Sequence, residues 1–292
     1  MVRESEIAVV RRFNRTVTQQ VGALDDAYLA RGRSLGQSRL LWEIGPGGAA
    51  VRELRDRLGL DSGYLSRLLR GLEDAELVTV VRDGADGRAR TVRLTGAGEA
   101  ERAELDRLSD SLAGGMLQPL DDGRRARLIA AMAEVDRLLT AAAVRIEECD
   151  PRDPRADAAL TAYTQELDER FDGGFARPPG DADRLTPPAG MFLVAVLGEE
   201  TVGCGGLAFA DGEPPLVKRV WVAPSARGLG LATRLMAELE RSARAHGADL
   251  LRLDTNAGLT EAIAMYRRLG YREVPRFHDD PYSQHFFEKD LR

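Results

Sequence analysis

From Lys218 to Val222 the chain reads as a short strand, Lys-Arg-Val-Trp-Val. It passes through Ala-Pro-Ser-Ala into Arg227-Gly228-Leu-Gly230-Leu-Ala232-Thr233 and on into an amphipathic stretch. A strand that turns at a proline into a helix opened by glycines leaves the first N–H groups of that helix without partners. Together with the helix dipole they favour a negative charge. Gly228 and Gly230 let the backbone come close to a pyrophosphate, so the segment reads as a site for a phosphorylated ligand. A dinucleotide fingerprint is a poor match, because the third glycine and the acidic residue after a second βαβ strand are missing. The Gly-Lys-Ser/Thr of a P-loop is missing too. Further on, Leu250 to Asn256 reads as a strand ending in Asn, and Glu261 to Tyr271 as a helix and turn carrying Tyr266.

A second constellation lies in the first half. Glu53 to Leu58, the turn Gly59-Leu-Asp61, and Ser62 to Asp74 have the spacing of a helix-turn-helix, with Asp61 or Ser62 as cap. Leu77 to Arg82 and Arg88 to Thr95 then flank a Gly/Asp-rich turn, which reads as a β-hairpin wing. A second helix of this kind can lie in the major groove of duplex DNA while arginines on a wing reach the minor groove. The candidates for such contacts are Ser62, Tyr64, Ser66, Arg67 and Arg70 on the helix, with Arg88 and Arg90 on the wing. Leu65, Leu68 and Leu72 belong to the core, and Asp86 to the shape of the hairpin. A protein-interaction role competes, since Arg52 to Arg93 holds nine arginines against eight acidic residues, a weak cationic footprint.

The elements that must carry these groups fall into two halves. Apolar residues recur at three and four up to about Leu139, whereas from Val144 short β-type runs alternate with helical stretches. We place a helical domain at residues 1–141 and an α/β domain at 142–292. The 292 residues, 43% hydrophobic and 30% charged, suffice for two ordinary cores. The net charge of −6 sits in the second half, since residues 1–147 hold 23 arginines and 23 acidic residues. The longest apolar run is seven residues, Met191 to Leu197, and no apolar leader opens the chain, so neither a membrane span nor a secretory signal is expected. Cys149 and Cys204 lack CxxC partners and read as free thiols in a reducing cytoplasm, and no metal site is expected.

On the helix pair, the Glu76-Leu77-Val78 entry to the wing and the Asp86-x-Arg88…Leu94-Thr95 pattern, the first half resembles the MarR family of winged-helix regulators. The resemblance implies a mainly-α winged-helix fold, double-stranded DNA as partner, and a homodimer formed through the terminal helices of this domain on a palindromic site. The second half resembles the GNAT family of N-acetyltransferases. Arg227, Gly230 and Ala232 fill its Arg-x-x-Gly-x-Ala motif, and Tyr266 to Tyr271 has its Tyr-x-x-x-Gly-Tyr spacing. That resemblance implies an α/β fold on a central mixed, mostly antiparallel sheet, with acetyl-CoA as co-substrate and no metal. Its fold splays two parallel strands. The freed backbone at Val220 and Val222 then holds the pantetheine arm and the thioester oxygen, Arg227, Gly228, Gly230, Ala232 and Thr233 hold the diphosphate, Asn256 bonds the cofactor amides, and Tyr266 protonates the departing thiolate.

The base that deprotonates the amine stays open. Where many members of that family carry a Glu two residues before Lys218, this chain has Leu216, and Glu166, Asp168, Glu169, Asp254, His278 and His285 are all possible. The acceptor is expected to be a small amine, and one that is amino-acid-like would have its carboxylate paired by Arg219 or Arg276. The expected function is therefore acetyl transfer by an enzyme joined to a DNA-binding module. The alternative is a transcription regulator whose second domain senses acetyl-CoA or an amine.

Overall fold

The computed structural model describes residues 3–23, 28–82 and 90–292. It divides into two compact units, residues 1–130 and 131–292. The division falls inside a helix, earlier in the chain than the boundary expected from the sequence at 141/142.

The first unit contains α1 (Glu4–Gln20), α2 (Leu35–Ile44), β1 (Ala49–Ala50), α3 (Val51–Leu58), α4 (Ser62–Asp74), β2 (Val78–Arg82), β3 (Arg90–Leu94), α5 (Gly96–Leu117) and the start of α6 (Asp122–Ala143). Its helix starts are capped as the sequence dictates. Ser34 forms a capping box with Gln37 on α2, and the Asp61 carboxylate accepts the Tyr64 N–H at 2.8 Å on α4. Gly59 ends α3 in the left-handed region at φ 61°, where a side chain would be strained, and turns the chain into α4. Leu65, Leu68, Leu69 and Leu72 pack with Leu40, Leu41, Ile44 and Leu54 into one core, against the three-stranded sheet β1-β3-β2. Glu101 of α5 is buried and takes Arg31 and Arg33 as partners at 2.5 and 2.7 Å, tying the segment before α2 to α5. By contrast α1 buries nothing: Ile7, Val10, Phe13 and Val17, spaced at three and four, form an exposed apolar stripe.

The second unit continues with β4 (Arg145–Glu148), α7 (Pro154–Arg170), β5 (Gly190–Leu197), β6 (Glu200–Ala210), β7 (Glu213–Val222), α8 (Leu231–Ala245), β8 (Leu250–Thr255), α9 (Thr260–Arg268), β9 (Arg272–Glu273) and β10 (His285–Asp290). The sheet order is β4-β5-β6-β7-β8-β10-β9. Every neighbouring pair is antiparallel except β7 and β8. One face packs against α8 through Leu231, Leu235, Met236 and Leu239. The other packs against α7 through Ala156, Ala159 and Leu160. Strand β10 was not expected: His285 reads in the sequence as part of a loop, yet Phe286 and Phe287 are both buried and the strand zips onto β8 over six residues. Two adjacent buried rings break the two-residue alternation that marks a strand in sequence.

The parallel pair β7 and β8 touches only at Leu216 with Arg252 and Val217 with Leu253. Beyond these rungs β7 runs on to Val222 and β8 to Thr255 without pairing each other, so a V-shaped opening forms between them. A local cause is visible on β7. Between the rungs Gly206 with Lys218 and Cys204 with Trp221, two β7 residues, Arg219 and Val220, oppose the single Gly205. Arg219 takes φ 59°, a conformation that costs a non-glycine residue about 1–2 kcal/mol, and the strand turns there.

Among the described residues no helix is long and apolar enough to cross a membrane. No group of three or more His, Cys, Asp or Glu side chains is arranged among them so that it could hold a metal ion. Both cysteines are buried and unpaired.

Candidate active site and nucleic-acid interface

The V-shaped opening lies between two connected hollows. One is a cleft of about 410 Å³ bounded by Val220, Trp221 and Val222 of β7, by Arg227, Gly228 and Ala232 leading into α8, by Glu166 and Arg170 of α7, and by Met265 and Tyr266 of α9. The other is a recess of about 80 Å³ among Phe171, Phe175, Lys218, Asp254, Asp280 and Tyr282. Tyr163, Leu167, Val220, Leu259, Ala262 and Tyr266 line both, and so mark the boundary where a group could pass from one ligand to another.

The glycine loop behaves as its residues require. Gly228 and Gly230 have φ 79° and 71°, and a Cβ on either would point into open space, so only backbone faces outward there. Gly230 is the N-cap of α8 and has no side-chain partner for the first N–H groups, which leaves the first turn able to hold a diphosphate. Ala232 lines the cleft, whereas Thr233 is exposed on the outer side of the same turn and does not line it. Arg227 donates to the Val222 carbonyl at 3.1 Å and to both carboxylate oxygens of Glu166 at 2.6 Å.

Glu166 is the hub of the cleft mouth. It also accepts the Trp221 indole N–H at 2.8 Å and Arg170 at 3.3 Å, and Arg170 reaches on to Glu261 at 3.0 Å. Burial pushes its carboxyl up, but the Arg227, Trp221 and Arg170 donors outweigh this and hold it below the ordinary glutamate range. Tyr163, Glu166, Leu167 and Arg170 share one face of α7 at spacings of three, four and seven. That periodicity in the sequence could have exposed Tyr163, which the motif reading missed.

Tyr266 is 6% exposed, its ring packed at 6.0 Å from those of Tyr271 and Phe287. Its hydroxyl makes no hydrogen bond to another described residue. Burial raises its pKa far above the ordinary tyrosine value, and nearby Tyr163 and Asp254 add to the shift, so the phenol stays protonated. Asn256 is placed differently from the expected amide-binding role. Its Nδ2 donates to the Tyr282 carbonyl at 3.0 Å and its Oδ1 accepts the Gly258 N–H at 2.8 Å, so both polar ends hold the loop. It borders the recess and not the cleft.

Asp254 gathers the polar side of the recess. Lys218 Nζ donates to it at 2.7 Å and Ser283 Oγ at 2.5 Å, and His278 Nε2 lies 3.2 Å away. Burial pushes the Asp254 carboxyl up, but Lys218, Ser283 and His278 together hold it below the ordinary aspartate range. The other possible bases sit elsewhere: Asp168 accepts the Phe175 N–H at 2.9 Å, Glu169 faces solvent with Gln165, and His285 pairs with Glu273 on β10 and β9. The expected carboxylate partners are also occupied. Arg219 makes a bidentate pair with Asp181 at 2.9 and 2.7 Å, and Arg276 is bonded to the His278 carbonyl outside the recess.

On the first unit, Ser62, Tyr64, Arg67 and Arg70 project from the outer face of α4, with Ser66 half-buried beside them. The Arg67 guanidinium lies 5.6 Å from the Tyr64 ring centre. Arg90 is exposed at the tip-side start of β3, while Arg88 and Asp86 lie outside the described residues.

A mixed sheet with a splayed parallel pair, an uncapped glycine entry to a helix and a tyrosine at the seam define an N-acetyltransferase, and the chain belongs to the GNAT acetyltransferase family. The family match covers residues 157–271, and a MarR-family domain is matched over residues 31–89. Among similar proteins, the IAA acetyltransferase of Azospirillum brasilense is 38% identical over 115 residues, covering 38% of this chain and 74% of that protein. The HTH-type transcriptional regulator TtmR of Methylorubrum extorquens (strain PA1) is 39% identical over 89 residues, covering 30% of this chain and 44% of that one. A solved GNAT-family acetyltransferase from Staphylococcus aureus Mu50 aligns with TM-score 0.46 and 18% identity over 51% of this chain and all of its own.

Proposed function

We propose that the second unit transfers acetyl from acetyl-CoA to a small primary amine and that the first unit binds double-stranded DNA as a homodimer. The observation that carries the enzymatic reading is the V-shaped opening, with the glycine loop at one mouth and Tyr266 at the seam. The diphosphate rests on the first turn of α8 at Gly228, Gly230 and Ala232. The pantetheine arm lies along the free edge of β7 at Val220 to Val222. Backbone N–H groups there polarise the thioester carbonyl as the amine attacks, and Tyr266 gives its proton to the departing sulfur. The Asp254 cluster is the polar group nearest the amine side, and the amine's proton leaves past it through water to solvent.

The DNA reading rests on the outward face of α4, where Ser62, Tyr64, Arg67 and Arg70 stand free for the major groove, with Arg90 on the wing. The dimer reading rests on the exposed stripe of α1, an apolar face of the width another helix covers. Calorimetry with acetyl-CoA, followed by thiol release with an amine panel, tests the enzyme. Gel shifts on the DNA upstream of the coding region test the regulator. Acetyl-CoA binding without turnover on any amine would leave the sensing regulator in its place, and the absence of both binding and turnover would end the enzymatic reading.

A further inference from the structure

The recess beside the seam carries more information about the acceptor than its position does. Three of its walls are rings. Tyr163, Phe171, Phe175 and Tyr282 form a continuous set, with Phe175 at the centre: its ring centre lies 5.8 Å from those of Tyr163 and Phe171 and 4.8 Å from that of Tyr282. Edge-on contacts of this kind present both ring faces and ring edges to whatever enters, and they favour another aromatic surface.

The charges around the rings are already matched. Lys218 is held by Asp254, and Arg219 is held by Asp181 through Nε and Nη2, with Nη1 on the Tyr163 hydroxyl at 3.5 Å, while lying 5.7 Å from the ring centres of Tyr163 and Phe175. Asp280, half-buried at the rim, accepts the Tyr282 N–H at 3.0 Å and has no ion-pair partner among the described residues. The carboxylates Asp181, Asp254 and Asp280 outnumber the cations Lys218 and Arg219 by one, with His278 Nε2 also 3.2 Å from Asp254. A carboxylate on the acceptor would enter against that excess, and neither buried cation could receive it without leaving its own partner bare. A second ammonium would be desolvated among rings with only the rim Asp280 in reach.

We infer that the acceptor is an arylalkylamine: a primary amine one or two carbons from a single aromatic ring, with no carboxylate and no second amine. This rests on the acetyltransferase reading above and narrows its substrate. The ring lies against Phe175 and Tyr282, Asp280 draws the incoming ammonium, and the short carbon link sets the nitrogen between Val220 and Tyr266, the residues common to recess and cleft. In the transfer, the ammonium first gives one proton through water to solvent on the Asp254 side, which frees the lone pair; that pair forms the new N–C bond, the C–S bond breaks, sulfur takes the proton of Tyr266, and the second N–H proton returns through water to restore the phenol.

The test is a thiol-release assay on the full chain with phenethylamine, benzylamine, phenylalanine, putrescine and spermidine, alongside calorimetry with acetyl-CoA on the same preparation. The two arylalkylamines should exceed the other three at least tenfold in kcat/KM. The variants Phe175→Leu and Tyr282→Leu keep apolar bulk, and each should raise KM for phenethylamine about tenfold while leaving acetyl-CoA affinity and the melting temperature near those of the parent. Equal or better rates on phenylalanine or a polyamine overturn the inference while acetyl-CoA binding preserves the enzymatic reading. Unchanged KM in both leucine variants overturns it as well. Failure to bind acetyl-CoA removes the reading and the inference together.

Discussion

Removing the hydroxyl of Tyr266 separates chemistry from packing. The ring is buried against Tyr271 and Phe287, but its oxygen has no protein hydrogen bond to lose. Tyr266→Phe therefore keeps the packing, and the change in stability stays within about 1 kcal/mol. In a unit of this size that is a shift of roughly 2–4 °C in melting temperature. If the hydroxyl supplies the proton to the sulfur, its loss slows kcat about 10²-fold or more, the usual contribution of a positioned general acid, equivalent to about 2.7 kcal/mol of barrier. KM for acetyl-CoA should hardly move, because the diphosphate and pantetheine contacts lie on the α8 turn and on β7. Since burial keeps the phenol protonated well past its ordinary range, the parent enzyme should show no loss of rate from this group below about pH 10. The assay is stopped-flow thiol release at saturating substrates, with thermal unfolding of both proteins in parallel. A kcat within threefold of the parent, at matched stability, would refute the assignment of Tyr266 as the acid.

Gly230→Ala places a methyl on a residue at φ 71° with open space around it, so it should cost about 1 kcal/mol of stability and weaken acetyl-CoA binding well beyond that; an unchanged Kd by calorimetry would move the diphosphate elsewhere. Arg67→Ala and Arg90→Ala should each weaken DNA binding across sequences and lower the slope of log K against log salt by about 0.9 if they touch phosphates, as read by fluorescence anisotropy at several ionic strengths. Asp254→Asn leaves the Lys218 cation buried beside a neutral amide and should destabilise the second unit by about 3–5 kcal/mol in urea titrations at pH 7. The same carboxyl sets an acid limb in the parent. Its folded pKa lies below the unfolded value of about 3.9, so its contribution is complete above that value and is lost as pH falls beneath it, a limb absent from the Asn variant.

Much of this architecture is legible in the residues. Asp61 before Ser62, Gly59 after Leu58 and the leucines at three and four announce the helix pair of the first unit, and Gly228 and Gly230 after Pro224 announce the uncapped helix entry of the second. These are local signals, written within one turn of chain. The parts that escaped are made by contacts between distant segments. Asp254, Lys218, Ser283 and His278 come from three elements and meet only once the sheet is assembled. Arg219 looked free to bind a carboxylate because nothing in its neighbourhood in sequence shows that Asp181, 38 residues earlier, will claim it. Asn256, at a strand end, carries the same residue type whether it binds a ligand or closes a turn. Only the positions of Tyr282 and Gly258 decide that it closes one here.

The extra residue at Arg219 makes the length of β7 a functional quantity in itself. Deleting one residue between Val217 and Trp221 would restore regular pairing with β6 and keep Trp221 opposite Cys204 on the same face, so what is lost is the turn that parts β7 from β8. The backbone beyond Val217 would lie back along β8, and the opening would zip shut. Single-residue deletions here should therefore abolish catalysis while the sheet grows more regular and no less stable, an unusual case in which repairing a fold disarms it.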